Sequence, residues 1–260
     1  MLNFRYNSVM QKLKFRKNNL VLDIRDEVDK SVLAEIFKFE EYRCSENVIV
    51  NAKNPVIDAG AHIGLFSIYV RCLNKTVKIY ALEPEQDNII RLKCNLAENF
   101  IKNVEVIKCS LSGKTGVREL FLSADSHNHS ILRNTYHASL HRCAKQCSPR
   151  FDHRVEAGGQ VARNKIMTKT TDFKNFCEQN CISRVSLLKM DIEGAEFEVI
   201  KNLQPTDFAK INAIVFEYHN SSTRNCKTLQ EILRKNGFSV EAFASQFDKN
   251  MGIIFAHRKI

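Results

Sequence analysis

The sequence predicts an α/β fold, a mostly parallel, doubly wound sheet with helices on both faces and an antiparallel strand near the C-terminus. Three observations predict it. From Pro55 onward, short apolar runs alternate with segments of helical period, the pattern of strand–helix–strand units. The stretch "VIDAGAHIGLFSIYV", residues 56–70, puts an acid and two glycines where a strand gives way to a helix. The last two strand-like runs, "FSVEAFA" and "MGIIFAHR", have no helix between them, so one of them runs against the rest of the sheet.

Taken in order, residues 1–18 carry Arg5, Lys12, Lys14, Arg16 and Lys17 and no acid, and read as a solvated basic arm. "NLVLDI", residues 19–24, reads as a strand, and residues 30–42 place Val32, Leu33, Ile36 and Phe37 at helical spacing. Residues 1–49 are thus expected to form a basic arm and helical extension, and residues 50–260 the main domain. "PVIDAG" is its first strand, followed by a helix from about Ile63. "TVKIYALEP" is the second, stopped by Pro84, and "QDNIIRLKCNLAEN" is a helix with Ile89, Leu92 and Leu96 on one face. "NVEVIKCSLS" is the third strand, "RVSLLKMDIEG" the fourth and "KINAIVFEYH" the fifth. "DFKNFCEQN", "AEFEVIKNL" and "TLQEILRKNG" are helices, the last with a glycine stop. Residues 123–169 show no clean period and read as an insertion or lid.

A chain of 260 residues that is 44% hydrophobic supports a sizeable core and excludes a disordered class. Its formal net charge of +10 raises the prospect of an anionic partner. Residues 1–18 hold no apolar leader segment, so the nine cysteines are expected to be reduced thiols in a cytoplasmic protein. No apolar run approaches the roughly 20 residues that a membrane-spanning helix needs.

In sheets of this kind, ligands sit beyond the carboxyl ends of the strands, where the strand order reverses. The first strand ends at Asp58. Gly60 permits a tight turn and close approach of a ligand, Ala61, His62 and Ile63 continue the turn, and Gly64 leaves room in the first helical turn. The second strand ends at Glu83 and Pro84, and a carboxylate there can accept from both hydroxyls of a ribose. "GAHIG" is Gly-x-x-x-Gly, without the Gly-x-Gly-x-x-Gly cradle of a dinucleotide site. An acid before the turn suits a ligand with a cationic amino group, as S-adenosylmethionine has. Gly60→Val is therefore expected to abolish cofactor binding and leave the protein folded.

"VIDAGAHIGLFSIYV", "IYALEPEQDNIIRLKCN" and "VEVIKCSLS" resemble the first three motifs of Rossmann-like class I methyltransferases. "LLKMDIEGAEFEVIKNL" with "INAIVFEYH", and also "KTTDFKNF" and "LAEIFKFEEY", resemble the FkbM family of S-adenosylmethionine-dependent methyltransferases. The resemblance implies that Asp58, Gly60 and Gly64 surround the methionine part of the cofactor, that Glu83 binds the ribose, and that Ser110 and Leu111 lie by the adenine. It also implies methylation of hydroxyl groups on small molecules or sugars. His62 stands where such proteins often have Asn, and Ser110 where a small apolar residue is common.

Methyl transfer is an in-line displacement, so the enzyme must align the acceptor and help it lose a proton. The candidates lie at the ends of the fourth and fifth strands. Lys189 and Asp191 share one strand face, Glu217 and His219 another, and Glu193 follows Asp191. His219 is a candidate general base because its ordinary pKa is near neutrality. Asp191 could orient the acceptor, act as base, or help hold a divalent metal with Glu193 and Glu217; no metal is expected. Glu196 and Glu198 read as solvated or capping residues. A Pro-Pro pair and a Pro-Cys nucleophile are both absent, which argues against adenine-amino and cytosine-carbon methylation and leaves oxygen methylation. Residues 133–169 hold eight Lys or Arg and two acids, with Tyr136 and Phe151 the aromatics. That patch suits a phosphate, an acidic sugar or RNA better than stacked bases, and a methyltransferase for an RNA ribose is a second reading. A cofactor-binding protein of the same fold without turnover is a third. Of two Cys-x-x-x-Cys pairs, Cys143/Cys147 has histidines nearby but lacks the two-residue spacing more usual for zinc, and Cys177/Cys181 sits on an expected helix and reads as packing.

Overall fold

A computed structural model of the chain describes residues 9–121, 165–220, 225–245 and 250–258. The N-terminal strands β1 (Val9–Phe15) and β2 (Asn18–Ile24) form an antiparallel hairpin. From Val9 on, the basic stretch is therefore a strand and not a solvated arm. Helix α1 (Glu27–Leu33) continues into a π-helical turn, Ala34–Lys38, and α2 (Glu46–Val50) leads into β3 (Val56–Ala59). There follow α3 (Leu65–Leu73), β4 (Ile79–Leu82), α4 (Gln86–Glu98), β5 (Val104–Ile107), β6 (Ser110–Leu111) and β7 (Gly116–Phe121). After the undescribed segment come β8 (Lys165–Thr171), α5 (Phe173–Gln179), β9 (Leu187–Met190), α6 (Glu196–Asn202) and α7 (Pro205–Phe208). The chain closes with β10 (Ala213–His219), α8 (Cys226–Lys235), β11 (Ser239–Ala244) and β12 (Met251–His257).

The central sheet has the order β11-β12-β10-β9-β3-β4-β5. β12 pairs antiparallel with β10 and β11, while β10, β9, β3, β4 and β5 are parallel. The fold is the expected α/β, Rossmann-like arrangement with an antiparallel C-terminal strand. Its central strands are mostly apolar because helices cover both faces, with Asp58, Lys189, Glu217 and His219 toward their carboxyl ends. Alternation sends Ile57, Leu188, Ile214 and Phe216 into the cluster beneath α5, α6 and α8, and Val56, Leu187, Ala213 and Val215 into the cluster beneath α3 and α4.

The N-terminal segment belongs to the second cluster. Leu22, Ile24, Ile36, Phe37 and Tyr42 pack there with Phe66 and Tyr69. The ring of Phe15 lies 5.0 Å from Phe37, and Tyr42 lies 4.9 Å from Phe66. β2 is tied to α4 by Asn99, which accepts from Val21 N at 2.9 Å and donates to Val21 O at 2.7 Å, and by an Arg91–Asp23 ion pair at 2.8 Å.

The "NVEVIKCSLS" run divides after Ile107. β6 leaves the central sheet and joins β8 and β7 in a separate three-stranded sheet. The segment read as a lid thus has a paired C-terminal end, since residues 165–169 lie in β8. Cys143, Cys147 and the histidines beside them lie outside the described residues. Cys177 is buried in the core, as the packing reading expects, whereas Cys181 is exposed and does not pack. Among the described residues, no helix is long and apolar enough to cross a membrane.

Candidate active site

The strand order turns between β3 and β9. The chain steps from β3 outward to β4 and β5, then returns to β9 on the other side. Their carboxyl ends open a crevice at that point. A solvent-open cleft occupies it. Of the expected site residues, Gly60, Ala61, His62, Glu83, Pro84, Ser110, Leu111, Lys189 and Asp191 line this cleft.

The turn after β3 is built from left-handed residues, Gly60 (φ 73), His62 (φ 51) and Gly64 (φ 87). Gly60 N and Ala61 N both donate to Leu82 O at 3.0 Å, which holds the turn against β4. A Cβ on Gly60 would lie 1.8 Å from Asp191 O, so backbone meets backbone there. At Gly64 a Cβ would lie 3.0 Å from Leu92 Cγ, so the missing side chain makes room for α4 and not for a ligand. Gly64 and Ile63 do not line the cleft; Ile63 is fully buried.

Asp58 is also absent from the lining. Its carboxylate is completely buried, accepts from Ser67 Oγ at 2.7 Å, and sits 3.1 Å from Lys189 Nζ. Lys189 Nζ donates to Gly60 O at 2.9 Å and lies 3.8 Å from Asp191 Oδ2. Burial alone would lower the Lys189 pKa, but Asp58 and then Asp191 outweigh it and hold the ammonium above its ordinary value. Lys189 is therefore the counter-ion of Asp58 and a tie for the glycine turn; a permanent cation of this kind is no proton acceptor.

Glu83 is buried at the tip of β4. Its Oε2 accepts from His62 N at 2.8 Å and its Oε1 from Glu85 N at 2.9 Å. Burial lifts its carboxyl to about 7 against those hydrogen bonds.

Beside Asp191 lies a group of acids. Burial, then the like charge of Glu41, lifts Glu35 to about 7. Burial followed by the charge of Asp191 pushes Glu193 and Glu217 well above the carboxylate range. His219 Nε2 is 3.7 Å from Glu217 Oε1. Glu193, Glu217 and His219 do not line the cleft. Among the described residues, no group of three or more His, Cys, Asp or Glu is arranged to hold a metal. Glu196 is buried and accepts from Ile192 N at 2.8 Å, closing the turn after β9, and Glu198 pairs with Arg118 at 2.6 Å. Neither is simply solvated.

Sequence reasoning passes over Val32, Glu35, Ile36, Tyr42, Phe66 and Asn88, all of which line the cleft. The first four come from the N-terminal segment. Glu35 lies within "LAEIFKFEEY", so a family-like signal was present there without a role attached.

A family model described as "Methyltransferase FkbM domain" matches residues 58–240. Among curated relatives, "Methyltransferase sdnD" of Sordaria araneosa is 29% identical over 196 residues, covering 72% of this chain and 74% of that protein. "31-O-demethyl-FK506 methyltransferase FkbM" of Streptomyces tacrolimicus is 23% identical over 193 residues, covering 72% of this chain and 73% of that one. Among solved structures, magnesium protoporphyrin IX methyltransferase of Synechocystis PCC 6803 with bound SAM aligns at 11% identity with a TM-score of 0.45, over 89% of this chain and 84% of its own.

Proposed function

The chain belongs to the FkbM methyltransferase family, and from that premise we propose that it methylates a hydroxyl of a small molecule or saccharide with S-adenosylmethionine as donor. One observation carries the reading. The cleft lies where the strand order turns, and the strand-tip acids Glu83 and Asp191 flank the glycine turn from the two neighbouring strands.

The residues fit the cofactor. Glu83 lines the cleft, and a carboxylate has acceptor capacity beyond the donors it already meets, so it would take the ribose hydroxyls. Gly60, Ala61 and His62 would face the methionine part, and Ser110 and Leu111 the adenine. When bound, S-adenosylmethionine supplies an electrophilic methyl group on a sulfonium. Asp191 would orient the acceptor hydroxyl and take its proton. Glu217 and His219 stand one strand further on, as support for Asp191.

The acids around Asp191 are linked to it by charge. Glu35, Glu41, Glu193 and Glu217 all feel its charge, and the nearby cation Lys189 is already paired with Asp58. Burial favours the neutral form of Glu193 and Glu217, so they do not set the charge of the acceptor.

The test is a methyl-transfer screen of neutral, cationic and anionic hydroxylated compounds, together with calorimetry of cofactor binding. Asp191→Ala should keep its affinity for S-adenosylmethionine and lose roughly 100-fold or more in kcat; full activity in that variant would remove Asp191 from the chemistry.

Cofactor affinity should also depend on pH. Hydroxyl donors favour the ionised form of Glu83, whose carboxyl sits at about 7 in the free protein. Affinity for S-adenosylhomocysteine should therefore rise roughly tenfold from about pH 6 to about pH 8, with protons released on binding. Calorimetry in buffers of different ionisation enthalpy reads this directly. Glu83→Gln should weaken binding at the higher pH and flatten the profile; an unchanged profile would assign the titration to another group.

A further inference from the structure

We propose that Asp29 is a positioning residue for the cofactor turn, acting through Arg25 and His62 to clasp the N-terminal segment onto the cleft. The proposal rests on the cofactor reading above.

Asp29 lies on α1, a short helix whose N-cap, Asp26, accepts from Val28 N at 3.0 Å and Asp29 N at 2.9 Å. The Asp29 side chain is completely buried. Its Oδ2 accepts from Arg25 N at 2.8 Å and Arg25 Nε at 3.1 Å, and its Oδ1 from Arg25 Nη2 at 3.0 Å. This bidentate pair fixes the guanidinium plane. Arg25 Nη2 is then 2.9 Å from His62 Nε2, and His62 Nε2 is 3.3 Å from Asp29 Oδ1.

His62 is the non-glycine residue in the middle of the glycine turn, held at φ 51. Such a conformation costs about 1 kcal/mol or more and persists where surrounding contacts impose it. His62 Nε2 accepts from Arg25, whose guanidinium Asp29 fixes, while the His62 backbone N–H donates to Glu83 Oε2 at 2.8 Å. A continuous set of polar contacts therefore runs from α1, through His62, to the acid expected to take the ribose.

The other end of the clasp is the wall of the cleft. α1 runs directly into the π-helical turn, and Val32, Glu35 and Ile36 line the cavity. Irregular helical turns of this kind are frequent at functional sites. Asp29 and Arg25 lie outside the residues matched by the family model, whereas His62 lies inside them. The contact thus joins a segment beyond the matched core to the turn within it. A buried ion pair is a poor source of net stability compared with apolar packing, but it selects one geometry strongly. That is the property a positioning element needs.

The test uses the full chain and a binding readout. Calorimetry with S-adenosylhomocysteine is carried out on wild type, Asp29→Asn, His62→Ala and the double variant, with far-UV dichroism and thermal melts to establish folding. Each single change should raise Kd about tenfold. The double variant should be no worse than either single one, because both break the same connection. A folded Asp29→Asn or His62→Ala protein with wild-type Kd would overturn the proposal, as would effects that multiply in the double variant, the mark of independent structural damage. If Asp29→Asn does not fold, Arg25→Lys replaces it in the cycle with the same two outcomes. Failure of the wild type itself to bind S-adenosylhomocysteine would defeat the cofactor reading instead.

Discussion

Gly60→Ala should abolish cofactor binding and strip at least about 4 kcal/mol from the protein's stability, a fall in melting temperature of roughly 10 °C for a chain of this size. Two costs add. Alanine in the left-handed region costs about 1–2 kcal/mol, and Gly60 has φ 73. The larger cost is steric, because the new methyl group would sit 1.8 Å from the carbonyl oxygen of Asp191 and 2.8 Å from its carbonyl carbon. Neither is the mobile end of a side chain. Asp191 N donates to Ala59 O at 3.1 Å, so the clash prises apart the carboxyl ends of β3 and β9, where the cleft lies. The expectation that Gly60→Val would leave a folded protein is corrected on this ground. The glycine is required by the sheet before any ligand arrives. A thermal melt and a calorimetric titration check the result, and a variant with wild-type melting temperature would show that the two loops do not meet as described.

Lys189→Met should cost about 3–5 kcal/mol, the usual penalty for stranding one member of a buried pair. Lys189 is 3% exposed and Asp58 fully buried, with 3.1 Å between their charges. The methionine fills similar space but leaves the Asp58 carboxylate with Ser67 Oγ and no cation. The lost Lys189 Nζ bond to Gly60 O also loosens the glycine turn. Adding Asp58→Asn should recover part of the loss, since a neutral amide needs no counter-charge. Urea unfolding of both variants reads the difference. Were the double variant no more stable than Lys189→Met alone, the charge pair would not be the source of the penalty. A catalytic Lys189 would instead leave stability intact and lower kcat.

Several of these features were legible in the residues themselves. The strands β3, β4, β5, β9 and β10 and the helices α3, α4, α5 and α6 were set by period and by local stop signals, whereas β7, β8 and α7 were not read; both of the acids that flank the cleft were visible at strand ends. The roles of Asp58 and Gly64 were not. In the sheet register Asp58 pairs with Lys189 across β3 and β9, so the acid that seems to await a ligand's ammonium already has a lysine. Gly64 seems to make space for a cofactor until Leu92 of α4 is found in that space. Glu35 and Tyr42 were hidden for a related reason. They precede the glycine turn in the chain and reach the cleft by the packing of the N-terminal segment on α3.

The sequence by itself determined the main strands and helices of the central sheet, the α/β class, the strand-to-helix turn and the family, because periodicity, turn chemistry and short motifs are properties of neighbouring residues. Tertiary structure alone decided which charges neutralise one another, which glycine guards a backbone contact, and which segment walls the cleft. Those depend on strand order and register, which follow from burying both faces of one sheet at once, and no local stretch of chain carries that information.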